Sequence, residues 1–165
     1  MVETILTMKV LPPTLNDIIE VARQNKFASA AKKKQWTDAI AMSCRAAKVK
    51  PIIGEVFLEY VWRVKNVRRD QDNITSAQKY ILDGLVAGSV IEQDNLSVIQ
   101  SPVIHWFEKS DHDGFSIIIR DEEAWLDRLK TLRTGTAPAI PHEIVLASLG
   151  NVSRQQKPRL RARAR

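Results

Sequence analysis

Residues 55–74 read EVFLEYVWRVKNVRRDQDNI, and the order of patterns within them sets the fold class. Val56, Leu58, Tyr60, Trp62 and Val64 alternate with Glu55, Phe57, Glu59, Val61 and Arg63, so residues 55–64 predict a strand with one strongly apolar face. Residues 65–72 (KNVRRDQD) are a basic loop ending in carboxylates. Periodicity then changes, and residues 73–87 predict a helix that Gly88 terminates. Upstream, Pro51 and Gly54 break the chain after a long helix over 28–48, in which Ala30, Trp36, Ile40 and Cys44 recur near helical spacing behind a lysine-rich entry. Thr14 to about Gln24 predicts a short helix capped by Thr14 or Asn16. Residues 3–10 predict a strand that Pro12-Pro13 stops. Downstream, residues 98–108 predict a strand with Pro102 at an edge or bulge. The tight turn Ser110–Gly114 and the returning strand 115–120 then complete an expected hairpin. Asp121 opens a helix over 122–133; residues 134–141 read as a linker and 142–149 as a further helical turn or two. The expected fold class is α/β (α+β): a small mixed sheet packed with two to three helices.

Composition narrows the setting. A hydrophobic fraction of 44% can bury a sizeable core. The single cysteine, Cys44, excludes an intramolecular disulfide and fits a reducing compartment. The start MVETILTMKV does not resemble a signal peptide, and no apolar run approaches the ~20 residues that span a bilayer. A cytoplasmic protein with no membrane partner is therefore expected. The net charge of +6 is unevenly spread: residues 1–22 carry −2, 23–69 carry +9, 70–150 carry −7 and 151–165 carry +6. Two basic stretches point to a polyanion partner, and the acidic stretch between them needs its own explanation. The last fifteen residues can bury nothing and read as a basic, disordered tail.

The acidic stretch opens with Asp70 and Asp72, two apart at a strand-to-helix junction. In extended chain both carboxylates would face one point and repel, a penalty that a divalent cation removes. Mg²⁺ prefers such oxygen ligands. At about 100° per residue, Asp72, Ser76, Lys79 and Asp83 would share one polar stripe, opposite the apolar side of Ile74, Ala77, Ile81, Leu82 and Leu85. The loop over Val90–Asp94 can return a third carboxylate, Asp94. Three carboxylates, a lysine and the arginines Arg68 and Arg69 suit phosphodiester hydrolysis, with metal-polarised phosphate and water, and cations on the charge that develops. Against this stand ordinary roles: Asp72 or Asn73 as a helix cap, and Asp70 with Arg69 as a solvated charge cluster. Ile74, Thr75 and Ile81 at positions 5, 6 and 12 exclude a calcium-binding EF-hand loop. The lack of a glycine-rich nucleotide loop argues against an Asp-x-Asp glycosyltransferase. Spacing alone leaves metal chemistry and structural roles both open.

Four segments together resemble the RusA family of Holliday junction resolvases of bacteria and their phages: Leu11-Pro12-Pro13-Thr14-Leu15-Asn16 after a strand, Arg69-Asp70-Gln71-Asp72-Asn73-Ile74 at the end of another, Lys79-Tyr80-Ile81-Leu82-Asp83-Gly84-Leu85, and Val90-Ile91-Glu92-Gln93-Asp94-Asn95. The resemblance covers residues 3–121 and implies a nuclease domain over 1–121, followed by a helical extension (122–150) and the basic tail (151–165). It implies a homodimer that nicks opposing strands of a four-way DNA junction with Mg²⁺ (or Mn²⁺), in recombination and repair. Asp70, Asp72 and Asp94 are then metal ligands and, with Lys79, catalytic residues; Asn16, Asn73 and Asp83 are secondary candidates. Two departures stand out. The spacer from Asp72 to Lys79 is three residues longer than in the founding bacterial enzyme, and Gln93 replaces its second aspartate. The alternative function is a branched-DNA-binding protein without catalysis.

Lys32, Lys33 and Lys34 at the expected helix entry oppose the helix dipole, which a DNA phosphate would relieve, so with Arg68 and Arg69 they form the expected DNA-binding set. A solvated lysine face explains the same residues. His105 reads as a packing residue, His112 as a turn residue, and Trp36, Trp62, Trp106 and Trp125 as core or dimer contacts.

Overall fold

A computed structural model of the protein describes residues 1–132. In chain order these form β1 (Glu3–Met8), α1 (Leu15–Gln24), α2 (Lys26–Ala46), β2 (Val56–Val64), α3 (Gln71–Thr75), α4 (Gln78–Ala87), β3 (Ile99–Lys109), β4 (Gly114–Arg120) and α5 (Glu122–Leu132). The expectations for residues 133–165, including the end of the extension and the basic tail, lie outside the described residues. The fold is α+β, with a mixed four-stranded sheet ordered β1-β4-β2-β3. No helix among the described residues is long and apolar enough to cross a membrane.

β2 is the hub. Its expected apolar face is buried throughout, with Val56, Leu58, Tyr60, Trp62 and Val64 at 0–4% exposure. α2 and α4 cover that face, where Trp36, Ile40, Cys44, Ile81 and Leu85 join the core. Cys44 is the buried apolar residue expected, and burial pushes its thiol up to about 11. On the second face Glu59 and Val61 are buried and Phe57 and Arg63 half-buried; along its edges β2 pairs antiparallel with β4 and parallel with β3.

This order overturns the expected hairpin of residues 98–108 with 115–120. β3 and β4 do not pair; β2 lies between them. The physical reason is that β2 is buried along most of its length, with an apolar face under α2 and α4 and with Glu59 and Val61 buried on the other, which favours a central position over an edge. The half-buried β3 takes the edge instead. There its Pro102 is harmless, within a bulge in which β2 advances from Phe57 to Glu59 while β3 advances from Gln100 to Ile104.

Three helix expectations also need adjustment. α2 begins at Lys26, capped by the Asn25 side chain on the Phe27 amide. Lys32–Lys34 therefore lie about two turns inside it, beyond the reach of the N-terminal dipole. The helix expected over 73–87 is two helices, broken around Ser76 and Ala77. Gly88 does cap α4, but in right-handed geometry, and Ser89 takes the left-handed position (φ 57°). Gly88 serves close packing instead: a Cβ there would sit 3.2 Å from Cys44 Cβ and 3.3 Å from Ala41 Cα. The caps at Thr14 and Asp121 are as expected. Asp17 Oδ2 accepts from the Thr14 amide, and Asp121 Oδ1 accepts from the Ala124 amide, each at 2.8 Å.

α5 packs on the other side of the sheet. Trp125 stacks on Phe57 at 5.2 Å, and Arg128 reaches the fully buried Glu59. Glu59 Oε2 accepts from Arg120 (2.7 Å) and Arg128 Nε (3.0 Å); Oε1 accepts from Arg128 Nη2 (2.7 Å) and Trp106 (2.6 Å). Arg120 also donates to Glu3 at the rim, so two guanidiniums meet two carboxylates. Burial alone would raise the pKa of Glu59. The bonds from Arg128 and Trp106 and the charge of Arg120 outweigh it and hold the carboxyl below the ordinary glutamate range.

Two predictions test this packing. Gly84 lies where α4 crosses α2, and a Cβ there would sit 2.5 Å from both Cβ and Cγ2 of Ile40. Alanine regains about 1 kcal/mol of helix propensity but overpacks a stiff β-branched neighbour, typically at about 1–3 kcal/mol. Gly84→Ala is therefore expected to lower the urea midpoint; a raised midpoint would contradict the tight crossing. Glu59→Gln removes the charge opposite two buried arginines and is expected to cost about 3–5 kcal/mol. Because the folded pKa lies below the unfolded one, the contribution of Glu59 is present above the ordinary glutamate value and lost as pH falls through the folded value. Urea titrations below pH 5 should show a steeper acid loss in wild type than in the variant.

Candidate active site at the strand ends

β4 is antiparallel to both β1 and β2, and β3 is parallel to β2. β1, β2 and β3 thus point the same way. Their C-terminal ends lead into Lys9, Lys65 and Ser110, and the loop to β4 crosses the end of β2. There the Ser110 amide donates to the Val64 carbonyl (3.0 Å) and the Lys65 amide to Asp113 Oδ1 (2.9 Å). Asp113 Oδ2 takes Arg69 Nη1 at 3.1 Å. Gly114 allows this crossing, since a Cβ would lie 2.5 Å from the Met8 carbonyl oxygen.

The chain beyond Arg69 carries the expected carboxylates. Asp70 is the N-cap residue of α3, in extended geometry (φ −70°, ψ 139°), and its side chain makes no capping bond. Asp72 Oδ1 accepts from the Asn73 amide at 2.8 Å. Both residues are exposed. The helix starts at Gln71, so the extended i, i+2 geometry expected to aim both carboxylates at one point ends at Asp70. The Asn73 side chain reaches across to α1 and accepts from the Asn16 amide (3.0 Å), which brings two secondary candidates together.

The break between α3 and α4 interrupts the expected stripe. Ser76 Oγ turns back to the Asn73 carbonyl at 2.8 Å. Lys79 and Asp83 remain on one face of α4, and Lys79 Nζ meets Asp83 Oδ1 at 2.7 Å. The loop after α4 does return Asp94, whose Oδ2 lies 2.5 Å from the same ammonium. Val90 and Ile91, buried at 1% and 3%, anchor that loop, and the Val90 carbonyl accepts from the Ile52 amide. Lys33 approaches from α2 to 3.1 Å of Asp83 Oδ2. The result is an alternating row, Lys33–Asp83–Lys79–Asp94, drawn from α2, α4 and the loop. Bonds to Asp83 first and Asp94 second raise the Lys79 pKa; the bond from Lys79 lowers that of Asp94.

The basic residues are sorted in a way their order does not suggest. Lys33 faces the carboxylates, Lys34 pairs with Asp38 one turn along α2 (2.7 Å), and Arg68 is exposed. Lys32 and Arg69 instead line a separate open cleft of about 1000 Å³, together with Lys9, Lys65, Asp17 and Asp113. Lys9, Lys65 and Asp113 were not legible as site residues, since only the crossing loop and the parallel strand ends bring them together. His105 packs against both Tyr60 and Trp62, accepts from Trp62 Nε1 (3.0 Å) and is held below the ordinary histidine range by burial, as a packing residue should be.

Asp70, Asp72 and Asp94 offer only carboxylate oxygens, the donor chemistry Mg²⁺ takes. Among the described residues no three His, Cys, Asp or Glu side chains converge into a ready cage. Mg²⁺ is commonly held by one or two carboxylates, with water and substrate phosphate completing its shell, so the donor set fits the ion in kind.

The Lys79–Asp94 contact can be tested directly. In ¹⁵N-detected NMR titration, Lys79 is expected to titrate above an ordinary lysine, and Asp94→Asn to move it back toward one; an unmoved value would break the row. Comparison with protein-family models and with curated proteins finds no match to this chain.

Proposed function

We propose that the protein is a Mg²⁺-dependent, structure-selective endonuclease that hydrolyses phosphodiester bonds in four-way or other branched DNA, in the manner of the RusA-like resolvases that its motifs resemble. The observation that carries this reading is the meeting of Lys79 with Asp94 at 2.5 Å, fifteen residues apart in sequence, on the helix that follows Asp70 and Asp72. The same reading includes action as a homodimer, which would place two such sites on one junction.

In this mechanism Asp70, Asp72 and Asp94 would hold the ion. A bound Mg²⁺ supplies Lewis acidity at the scissile phosphate and lowers the pKa of a coordinated water. Lys79 brings a fixed positive charge against the phosphate or the leaving oxygen as negative charge grows there. Asp83 holds that ammonium from one turn further along α4, with Lys33 balancing its second oxygen. Lys79 stays protonated across neutral pH because both partners favour its charged form. It therefore acts as an electrostatic stabiliser and not as a general base. Arg69, held by Asp113 and adjacent to Asp70, would grip a neighbouring phosphate.

The test is cleavage of a labelled synthetic four-way junction in Mg²⁺. Wild type is expected to cut it. Asp72→Asn is expected to reduce the rate by on the order of 100-fold or more, since metal activation is worth several kcal/mol. Lys79→Ala should lose about 100-fold, as for a single transition-state donor. Equal cutting by wild type and Asp72→Asn would remove the proposed site. A junction bound in chelator and left intact in Mg²⁺ would identify a binding protein without catalysis.

A further inference from the structure

We propose that the open cleft beside the candidate active site binds the sugar–phosphate backbone of a DNA arm, through Lys9, Lys32 and Lys65 together with Arg69. The inference rests on the reading of DNA as substrate and assigns it a path on the protein surface.

The cleft draws its cations from four separate segments: Lys9 after β1, Lys32 on α2, Lys65 after β2 and Arg69 before α3. Its two acids are already engaged. Asp113 holds Arg69 and the Lys65 amide, and Asp17 accepts from the amide and hydroxyl of Thr14 at 2.8 Å each. Lys9, Lys32 and Lys65 form no ion pair among the described residues. The adjacent Lys33 and Lys34 both do, at 3.1 and 2.7 Å. The lysine run is thus divided by helical rotation, with two members neutralised by protein carboxylates and one turned to the cleft. Unneutralised ammoniums around one concavity repel one another. The largely apolar segment 10–13 forms part of the wall, and a low-dielectric wall concentrates their field. A ligand with several anionic groups along an extended shape relieves that repulsion at all of them together.

Two features favour a nucleic-acid backbone. Arg69 lines the cleft and is joined directly to Asp70, so a strand lying along the lysines leads to the proposed point of cleavage. Of the aromatic rings in the lining, Trp36 is only 7% exposed and the half-buried His112 is held by Asp111 at 2.5 Å, so neither stands free as a platform for a base. Recognition through phosphates alone is independent of sequence, which suits an enzyme that selects DNA by branching.

The experiment is a fluorescence-anisotropy titration of a labelled four-way junction in EDTA across a KCl series, with folding of each variant checked by circular dichroism. Each phosphate-bound lysine contributes about 0.9 to the slope of log K against log salt. The triple variant Lys9→Gln/Lys32→Gln/Lys65→Gln is expected to lose about two to three units of slope and roughly tenfold or more in affinity at 0.1 M salt. The single variants should each lose about one unit, and the corresponding triple arginine variant should keep the slope. A control that removes three lysines elsewhere, Lys48→Gln/Lys50→Gln/Lys130→Gln, should stay near wild type. Wild-type binding by the cleft variants, or an equal loss in the control, would overturn the cleft while leaving DNA as substrate. Displacement of the junction by poly-glutamate as effectively as by duplex DNA of equal charge would assign the cleft to acidic polypeptides and also overturn it. Wild type that binds no DNA would remove both inferences. Cleft-dependent binding without cleavage in Mg²⁺ would keep the cleft and remove the nuclease.

Discussion

The burial of β2 on both faces is the constraint on which the rest of the structure depends. One face is closed by α2 and α4 over an apolar stripe; the other carries Glu59, whose burial is offset by Arg120, Arg128 and Trp106 converging on it. β2 takes a central place in the sheet, with a neighbour on each edge. With β3 parallel on one side and β4 antiparallel on the other, the connection from β3 to β4 passes over the end of β2. That crossing sets Asp113 against Lys65 and Arg69 and steers the chain into Asp70. The position of the candidate site is in this sense a consequence of how the sheet is ordered.

Two electrostatic regimes lie side by side at that end of the sheet. In the row Lys33–Asp83–Lys79–Asp94 opposite charges alternate at 2.5–3.1 Å, and Lys79 and Asp94 hold each other in their charged forms. In the cleft, cations outnumber acids, and the acids present are turned to protein partners. α2 serves both, because consecutive residues on a helix are rotated by about 100°. Lys33 turns to α4 while Lys32 turns to the cleft. An ordered, neutralised row suits the positioning of a single ammonium for chemistry, and an unneutralised groove suits the capture of a polyanion.

Close packing supports this arrangement from a distance. Gly84 and Gly88 let α4 lie against α2, where a side chain would collide with Ile40 at the first position and crowd Cys44 and Ala41 at the second. The same approach brings Lys33 within reach of Asp83. Gly114 does the equivalent work at the crossing loop, where the β1 end passes too near for a Cβ. In the sequence Gly88 and Gly114 look like punctuation between elements; in the fold they are points of contact.

Local signals determined much of this protein. The alternation in 56–64, the helical spacing of Trp36, Ile40 and Cys44, and the caps at Thr14 and Asp121 each depend on interactions within a few residues, and the structure has them where expected. The association of Lys79, Asp83 and Asp94 was also readable, since a helical i, i+4 step and one short loop are enough to make it. Strand order, the split between α3 and α4, the Glu59 cluster and the separation of Lys32 from Lys33 and Lys34 were decided only by tertiary structure. Their causes are nonlocal: two-sided burial of β2 excludes the simple hairpin, and the partners of Glu59 lie 47 to 69 residues away. Sequence periodicity can say which face of an element is apolar. Which neighbour covers that face, and which charges are thereby brought together, depends on how all the elements are buried at once.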